Sequence, residues 1–170
     1  MAVEYTAAFA RVYNLRWNAF ARSLAPQIQA LYEDMSVAQC SPGNKTLLDL
    51  CCGNGMLSQH FLQQGYRVIG LDLSDDMLHY ARENNAETVQ TGQARFVQGD
   101  AASFSFDERF GLVVSTYDAL NHLPDGEALR SCFRCVSRVL LPGGLFVFDL
   151  NTREGLKRWG CFDAKKRCLQ

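Results

Sequence analysis

Long apolar runs are missing from this chain: no stretch approaches the roughly 18 uninterrupted apolar residues of a membrane-spanning helix. The opening segment, MAVEYTAAFARVYNLRW, has no apolar centre of the kind a signal peptide carries. The expected address is therefore the cytoplasm, without a membrane partner. A surplus of charge is missing too, since 17 Lys and Arg face 18 Asp and Glu with no Lys/Arg run. Holding nucleic acid or an anionic membrane by bulk electrostatics is not expected. Internal repeats and low-complexity segments are absent. So is a convincing disulfide pattern: the seven cysteines are an odd set, with Cys51 and Cys52 adjacent, and are read as reduced thiols. Cys132 and Cys135 form a C-x-x-C spacing, but no second ligand pair follows and Cys132 falls on a helical core stripe, so no metal is expected.

What is present is one ordinary domain's worth of chain, 170 residues with 48% hydrophobic and 21% charged side chains. A chain of this size buries roughly 70% of its unfolded surface. Tyr5, Phe9, Val12, Tyr13, Trp17 and Phe20 share one face of a helix. A second helix is expected to start at Pro26, where a first turn tolerates the missing N–H, and to carry Ile28, Leu31 and Met35. Residues 1–40 are thus a helical leader, closed by Ser41-Pro42-Gly43-Asn44, and residues 41–170 are the main domain.

Five apolar runs without a polar face follow: Thr46 to Leu50, Val68 to Asp72, Ala94 to Val97, Leu112 to Ser115 and Leu145 to Leu150. Such runs suit strands buried on both sides, and the helical segments between several of them indicate an α/β fold. One helix should open near Gly55 and close at Gly65; another has Ser74 as N-cap, with Asp75 and Asp76 at the positive end of its dipole. Leu129, Cys132, Phe133, Val136, Val139 and Leu140 make a continuous helical stripe, stopped by Leu141-Pro142-Gly143-Gly144. The segment from Gln98 to Gly111 reads as non-helical.

In open α/β sheets ligands bind beyond the C-terminal ends of the strands. After the first strand comes Asp49-Leu50-Cys51-Cys52-Gly53-Asn54-Gly55, an acid followed by a glycine turn. A Gly-x-Gly turn also serves dinucleotides, but the third glycine of that fingerprint would fall at Ser58. A carboxylate at Asp49 would repel a pyrophosphate and attract a ligand carrying an ammonium and a sulfonium. Asp72 ends the second strand, where a carboxylate can accept both hydroxyls of a ribose; the alternative is that it caps the next helix together with Ser74. Asp100 ends the third, placed to accept from an exocyclic adenine amine, with Ala101 keeping the edge open; Gly-Asp is also an ordinary turn pair.

Leu47 to Gly55, Gly70 to Leu78, Gln98 to Ala101 and Leu140 to Leu150 resemble, in order and spacing, the motifs of class I S-adenosylmethionine-dependent methyltransferases. The resemblance covers roughly residues 45 to 160. It implies a three-layer Rossmann-like open sheet, mostly parallel, of strand order 3-2-1-4-5 with helices on both faces. It further implies that Asp49, Gly53 and Gly55 line the methionine end of S-adenosylmethionine. Asp72 would hold the ribose, Leu73 and Met77 flank the adenine, and Asp100 and Ala101 meet its edge. Cys51 stands where the family often has a glycine, and a side chain this small can pack there beside the cofactor. Tyr13 would reach over the cofactor from the leader, acting as a lid; its place on a helical stripe equally fits a core aromatic.

After the fourth strand, Ser115 to Leu123 resembles the segment that borders the methyl acceptor in small-molecule methyltransferases, with Thr116 beside the cofactor. The Asn-Pro-Pro-Tyr-like segment of base-methylating relatives is absent, so the implied partner is a small molecule. Alignment of acceptor and methyl is the main task of such a site. A general base is optional; His122 comes first, then Tyr117 or Asp118. The other reading is that Asn121 and His122 only hold the loop. Cys51 and Cys52, near a helix start, could have depressed pKa values, or could simply pack. The family sheet has two further strands, expected here to be missing, so a truncated chain is anticipated whose fifth strand is an exposed edge. Two other functions stay open: a cofactor-binding fragment without catalytic competence, and a nicotinamide-dependent oxidoreductase.

Overall fold

The computed structural model describes residues 6–38 and 45–158. Tyr5, the Ser41–Asn44 break and the basic, cysteine-bearing tail lie outside the described residues. Five parallel strands form one sheet: β1 (Thr46–Leu50), β2 (Arg67–Asp72), β3 (Ala94–Gln98), β4 (Phe110–Ser115) and β5 (Leu140–Phe148), in the order β3-β2-β1-β4-β5. β1 is central, pairing Leu48 with Ile69 on one side and with Val113 on the other.

Alternating residues of these apolar strands feed two cores. Leu47, Val68, Phe96, Leu112 and Val114 pack beneath α2 (Ala19–Ala38), α3 (Met56–Gln63) and α4 (Asp75–Asn84), through Ile28, Phe61 and Leu78. Leu48, Leu50, Ile69, Leu71 and Val113 pack on the opposite face against Cys132, Val136 and Val139 of α6 (Gly126–Val139). Burial on both faces is what continuous apolar strands require. Ser74 caps α4 by accepting from Met77 N, and Gly65 closes α3 in the left-handed region at φ +81°. A short α5 (Ala86–Gln90) precedes β3, whereas residues 99–109 form no helix. Among the described residues no helix is long and apolar enough to cross a membrane.

Three elements differ from expectation. The leader's first helix is broken: α1 (Ala7–Arg16) ends at Trp17, and the Asn18 carbonyl accepts from Arg22 N to begin α2. Asn18 Nδ2 donates to the Asn14 carbonyl at 2.7 Å, a side-chain bond that competes with helix continuation. Secondly, α2 runs straight through Pro26 instead of starting there. The bond that proline cannot make is offset by its neighbours Ala25, Ile28 and Tyr32, all buried, while the ring faces outward. Thirdly, β5 begins at Leu140. Phe110 pairs with Leu140 and Leu112 with Leu145, so Pro142-Gly143-Gly144 lies in a bulge, where a strand tolerates proline.

Candidate functional site

A cleft of about 730 Å³ opens at the C-terminal ends of β1 to β4, roofed by α1. Its floor comes from the strand-end turns. Gly53, at φ +55°, has only the Met77 methyl within reach of an added Cβ, at 3.2 Å. Gly55, at φ +72°, is the N-cap of α3, and a Cβ there would lie 2.8 Å from Asn85 Nδ2. Glycine is required at Gly55 by conformation and by space together.

Asp72 is the hinge of the floor. Its Oδ2 accepts from Gly53 N at 2.8 Å and its Oδ1 from Ser74 N at 2.9 Å, tying the glycine turn to the start of α4. Burial pushes its pKa up against the lowering effect of these amides. An ionised carboxylate has about four acceptor sites, so capacity remains once the backbone amides around it are served. The capping reading and a ligand role are therefore compatible. Asp100 is exposed, and its Oδ1 accepts from Ala102 N at 2.7 Å.

Cys51, Gly53, Asp72, Leu73, Met77, Asp100, Ala101 and Thr116 all line the cleft, as do Tyr13, Tyr117, Asp118 and His122. Asp49 and Gly55 do not. Asp49 is 3% exposed, and its Oδ2 accepts from Ser58 Oγ at 2.6 Å, behind the turn. Burial raises its carboxyl to about 7, with Asp72 adding repulsion and the Ser58 hydrogen bond opposing. The Ser58 position, where a dinucleotide turn has glycine, is thus occupied by the partner of this acid. Burial also pushes the Cys51 and Cys52 thiols up, which leaves them protonated and disagrees with the depressed-pKa reading.

All three non-glycine residues with positive φ among those described line this cleft: Cys51 (61°), Tyr117 (68°) and Asp118 (49°). Backbone in this region is costly for a side-chain-bearing residue and persists only where its surroundings impose it. For Tyr117 and Asp118 the imposing groups follow β5. Asp149 Oδ1 accepts from Asp118 N at 3.1 Å, and Asn151 Nδ2 donates to Asp118 Oδ2 at 2.7 Å. Asn121 and Asn151 exchange two further bonds, at 3.0 and 2.9 Å. Asn121 does hold the loop, while its neighbour His122, ending a 3-10 turn (Ala119–His122), borders the cleft. Asp149 and Asn151 were not singled out from the sequence. Asp149 sits just past a strand's C-terminal end, the signal that picked out Asp72 and Asp100.

The roof is aromatic. Tyr13 lies 5.4 Å from Trp17 and 6.0 Å from both Phe9 and Tyr117, ring centre to ring centre, and joins neither core. Phe20 stacks edge-on against Tyr117 at 4.7 Å. Of the leader's stripe, Phe9, Tyr13 and Trp17 line the cleft, and Trp17 is 44% exposed. Among the described residues lining the cleft are five carboxylates and neither Lys nor Arg. Such a lining favours a cationic ligand over a polyphosphate.

Residues 47–144 match the methyltransferase domain family. An uncharacterized methyltransferase of Synechocystis is 41% identical over 120 residues, which covers 70% of this chain and 53% of that protein. The fold matches Streptomyces venezuelae DesVI with a TM-score of 0.70 at 31% identity, covering 84% of this chain and 57% of the other. It matches the glycopeptide N-methyltransferase MtfA, in complex with S-adenosyl-L-methionine, with a TM-score of 0.56 at 31% identity, covering 69% and 53%. The chain spans about half the length of the curated relatives it matches.

Proposed function

The chain belongs to the methyltransferase domain family, and from that premise we propose that it binds S-adenosylmethionine in the strand-end cleft and directs methyl transfer to a small-molecule acceptor. The observation that carries this reading is Asp72, a carboxylate fixed by two backbone amides at the cleft floor with acceptor capacity to spare. The cleft's volume lies within the ordinary range for a small-molecule site, about 300–1,000 Å³. Its carboxylate-rich lining, free of Lys and Arg among the described residues, suits a sulfonium and an ammonium.

When bound, S-adenosylmethionine supplies a methyl group already activated on sulfur for in-line displacement. The chain's own residues bind, orient and dry. Gly53 admits the ligand close to the backbone, and Asp72 accepts from the ribose hydroxyls. Leu73 and Met77 flank the adenine, Asp100 and Ala101 meet its edge, and Thr116 and Cys51 border the methionine side. Asp49 takes no contact role in this reading; it supports the turn through Ser58. Phe9, Tyr13 and Trp17 exclude water from above. His122 is the first group to take a proton from the acceptor, with Asp118 and Tyr117 beside it. The charge of the lining and the Ser58–Asp49 pair both argue against a nicotinamide dinucleotide.

Calorimetric titration of the 170-residue chain tests this, with NAD and an Asp72→Ala variant as controls. The methyl donor is expected to bind and NAD not to. Asp72→Ala is expected to weaken binding tenfold or more, about 1.4 kcal/mol. A folded chain that ignores S-adenosylmethionine overturns the proposal. Binding without acceptor-dependent release of S-adenosylhomocysteine, across a panel of amines, alcohols and thiols, would leave a cofactor-binding domain without catalytic competence.

A further inference from the structure

Four asparagines from three separate parts of the fold meet behind the roof. Asn54, 3% exposed between the two glycines of the floor turn, donates from Nδ2 to Asn14 Oδ1 at 2.9 Å and to Asn18 Oδ1 at 2.8 Å. Asn84, the last residue of α4, donates from Nδ2 to the same Asn14 Oδ1 at 2.8 Å and to the Asn54 carbonyl at 2.9 Å. Both lone-pair sites of the Asn14 side-chain oxygen are therefore used, and both N–H groups of the Asn54 amide. Asn14 directly follows Tyr13, and consecutive helical residues project about 100° apart. One residue thus faces the cleft while its neighbour is anchored to the body.

We infer that Asn14 is the positioning residue of the roof: by accepting from Asn54 and Asn84 it locks α1 to the floor turn and holds Tyr13 and Trp17 over the bound ligand. Both Asn14 bonds run from α1 to the α/β body, while α1 itself buries only Ala10. Apolar packing alone therefore holds it weakly. The lock joins the two surfaces between which a ligand would sit, so closure of the roof and order in the Gly53–Gly55 turn are one event. The inference rests on the cleft being the S-adenosylmethionine site, but the lock itself does not.

The test compares Asn14→Leu, which removes both acceptor sites, with Asn14→Asp, which keeps them. Hydrogen exchange without ligand reads the lock directly. Amides of residues 7–16 are expected to exchange at least tenfold faster in Asn14→Leu and within threefold of wild type in Asn14→Asp, with β1 to β4 protected equally in both. A chase of bound S-adenosylmethionine then reads the roof: its dissociation rate is expected to rise at least tenfold in Asn14→Leu and to stay within threefold of wild type in Asn14→Asp. Unchanged exchange in a folded Asn14→Leu, or equal loss in both variants, overturns the inference. Wild type that fails to bind S-adenosylmethionine while the exchange result holds overturns the cofactor reading and leaves the lock standing. Should Asn14→Leu not fold, Asn84→Ala removes one donor from the opposite side, with the same direction expected and the same outcomes decisive.

Discussion

Single residues at this site are held in costly conformations by identifiable partners, and each partner gives a measurable expectation. Gly55 combines φ +72° with an added Cβ 2.8 Å from Asn85 Nδ2, which itself donates to the Gly55 and Ala81 carbonyls. Gly55→Ala adds left-handed strain of about 1–2 kcal/mol and disturbs hydrogen bonds worth roughly 1 kcal/mol each. Urea unfolding should show a loss of about 2 kcal/mol or more. Asp149 offers a cleaner contrast. Asp149→Ala leaves Asp118 N without its 3.1 Å acceptor and should cost about 1–2 kcal/mol, whereas Asp149→Asn retains an acceptor oxygen and should cost less than about 0.5 kcal/mol. Equal unfolding free energies for the two variants would show that the left-handed Tyr117-Asp118 turn does not depend on that bond.

Elements with strong local chemistry are legible in the sequence, and those decided by distant packing are not. The stripe of α6 and the Ser74 cap of α4 depend on residues three or four apart, so pattern alone reveals them. β5 escapes in part because Leu140 is claimed at once by a helical stripe and by a ladder partner, Phe110, far away in the chain. Pro26 misleads for a similar reason: its local preference is a first turn, yet buried Ala25, Ile28 and Tyr32 carry the helix through it. An interior proline costs about 3 kcal/mol in a helix, partly regained through a stiffer unfolded chain. Pro26→Ala is therefore expected to stabilise the fold by about 2 kcal/mol, seen as a rise in Tm; a fall would mean that α2 is shaped by a kink at this point. Of the cleft lining, Asp72, Asp100 and Thr116 are legible because topology alone places strand ends there, whereas Asp49, expected at the cofactor, is sealed behind the turn. The asparagine lock and the Asp149 clamp are not legible, since amide side chains far apart in sequence carry no periodic signal.

The molecule as a whole keeps one carboxyl, Asp49, sealed at the centre of its sheet. Its pKa, near 3.9 in an unfolded chain, rises to about 7 on folding. The folded state thus prefers the protonated form. The associated stability is fully present below about pH 4 and is lost as pH climbs through 7, a change on the order of a few kcal/mol. Asn at this position cannot titrate, so the unfolding free energy of wild type relative to Asp49→Asn should fall from about pH 4 to about pH 7 and level off above that. Parallel pH profiles for the two proteins would place the acid's titration elsewhere.

The ladder order β3-β2-β1-β4-β5 also sets the sequence of events on the way to this state. No two strands are joined by a tight turn, so every pairing must first close a loop containing a complete crossover. β1, β2 and β3 pair among themselves within the first part of the chain, but the other edge of β1 waits for β4, when Leu47 finally meets Leu112. During synthesis the central strand is therefore open along one side until residues beyond Ser115 have emerged from the ribosome. That interval is when this chain is most exposed to aggregation and has most to gain from a chaperone.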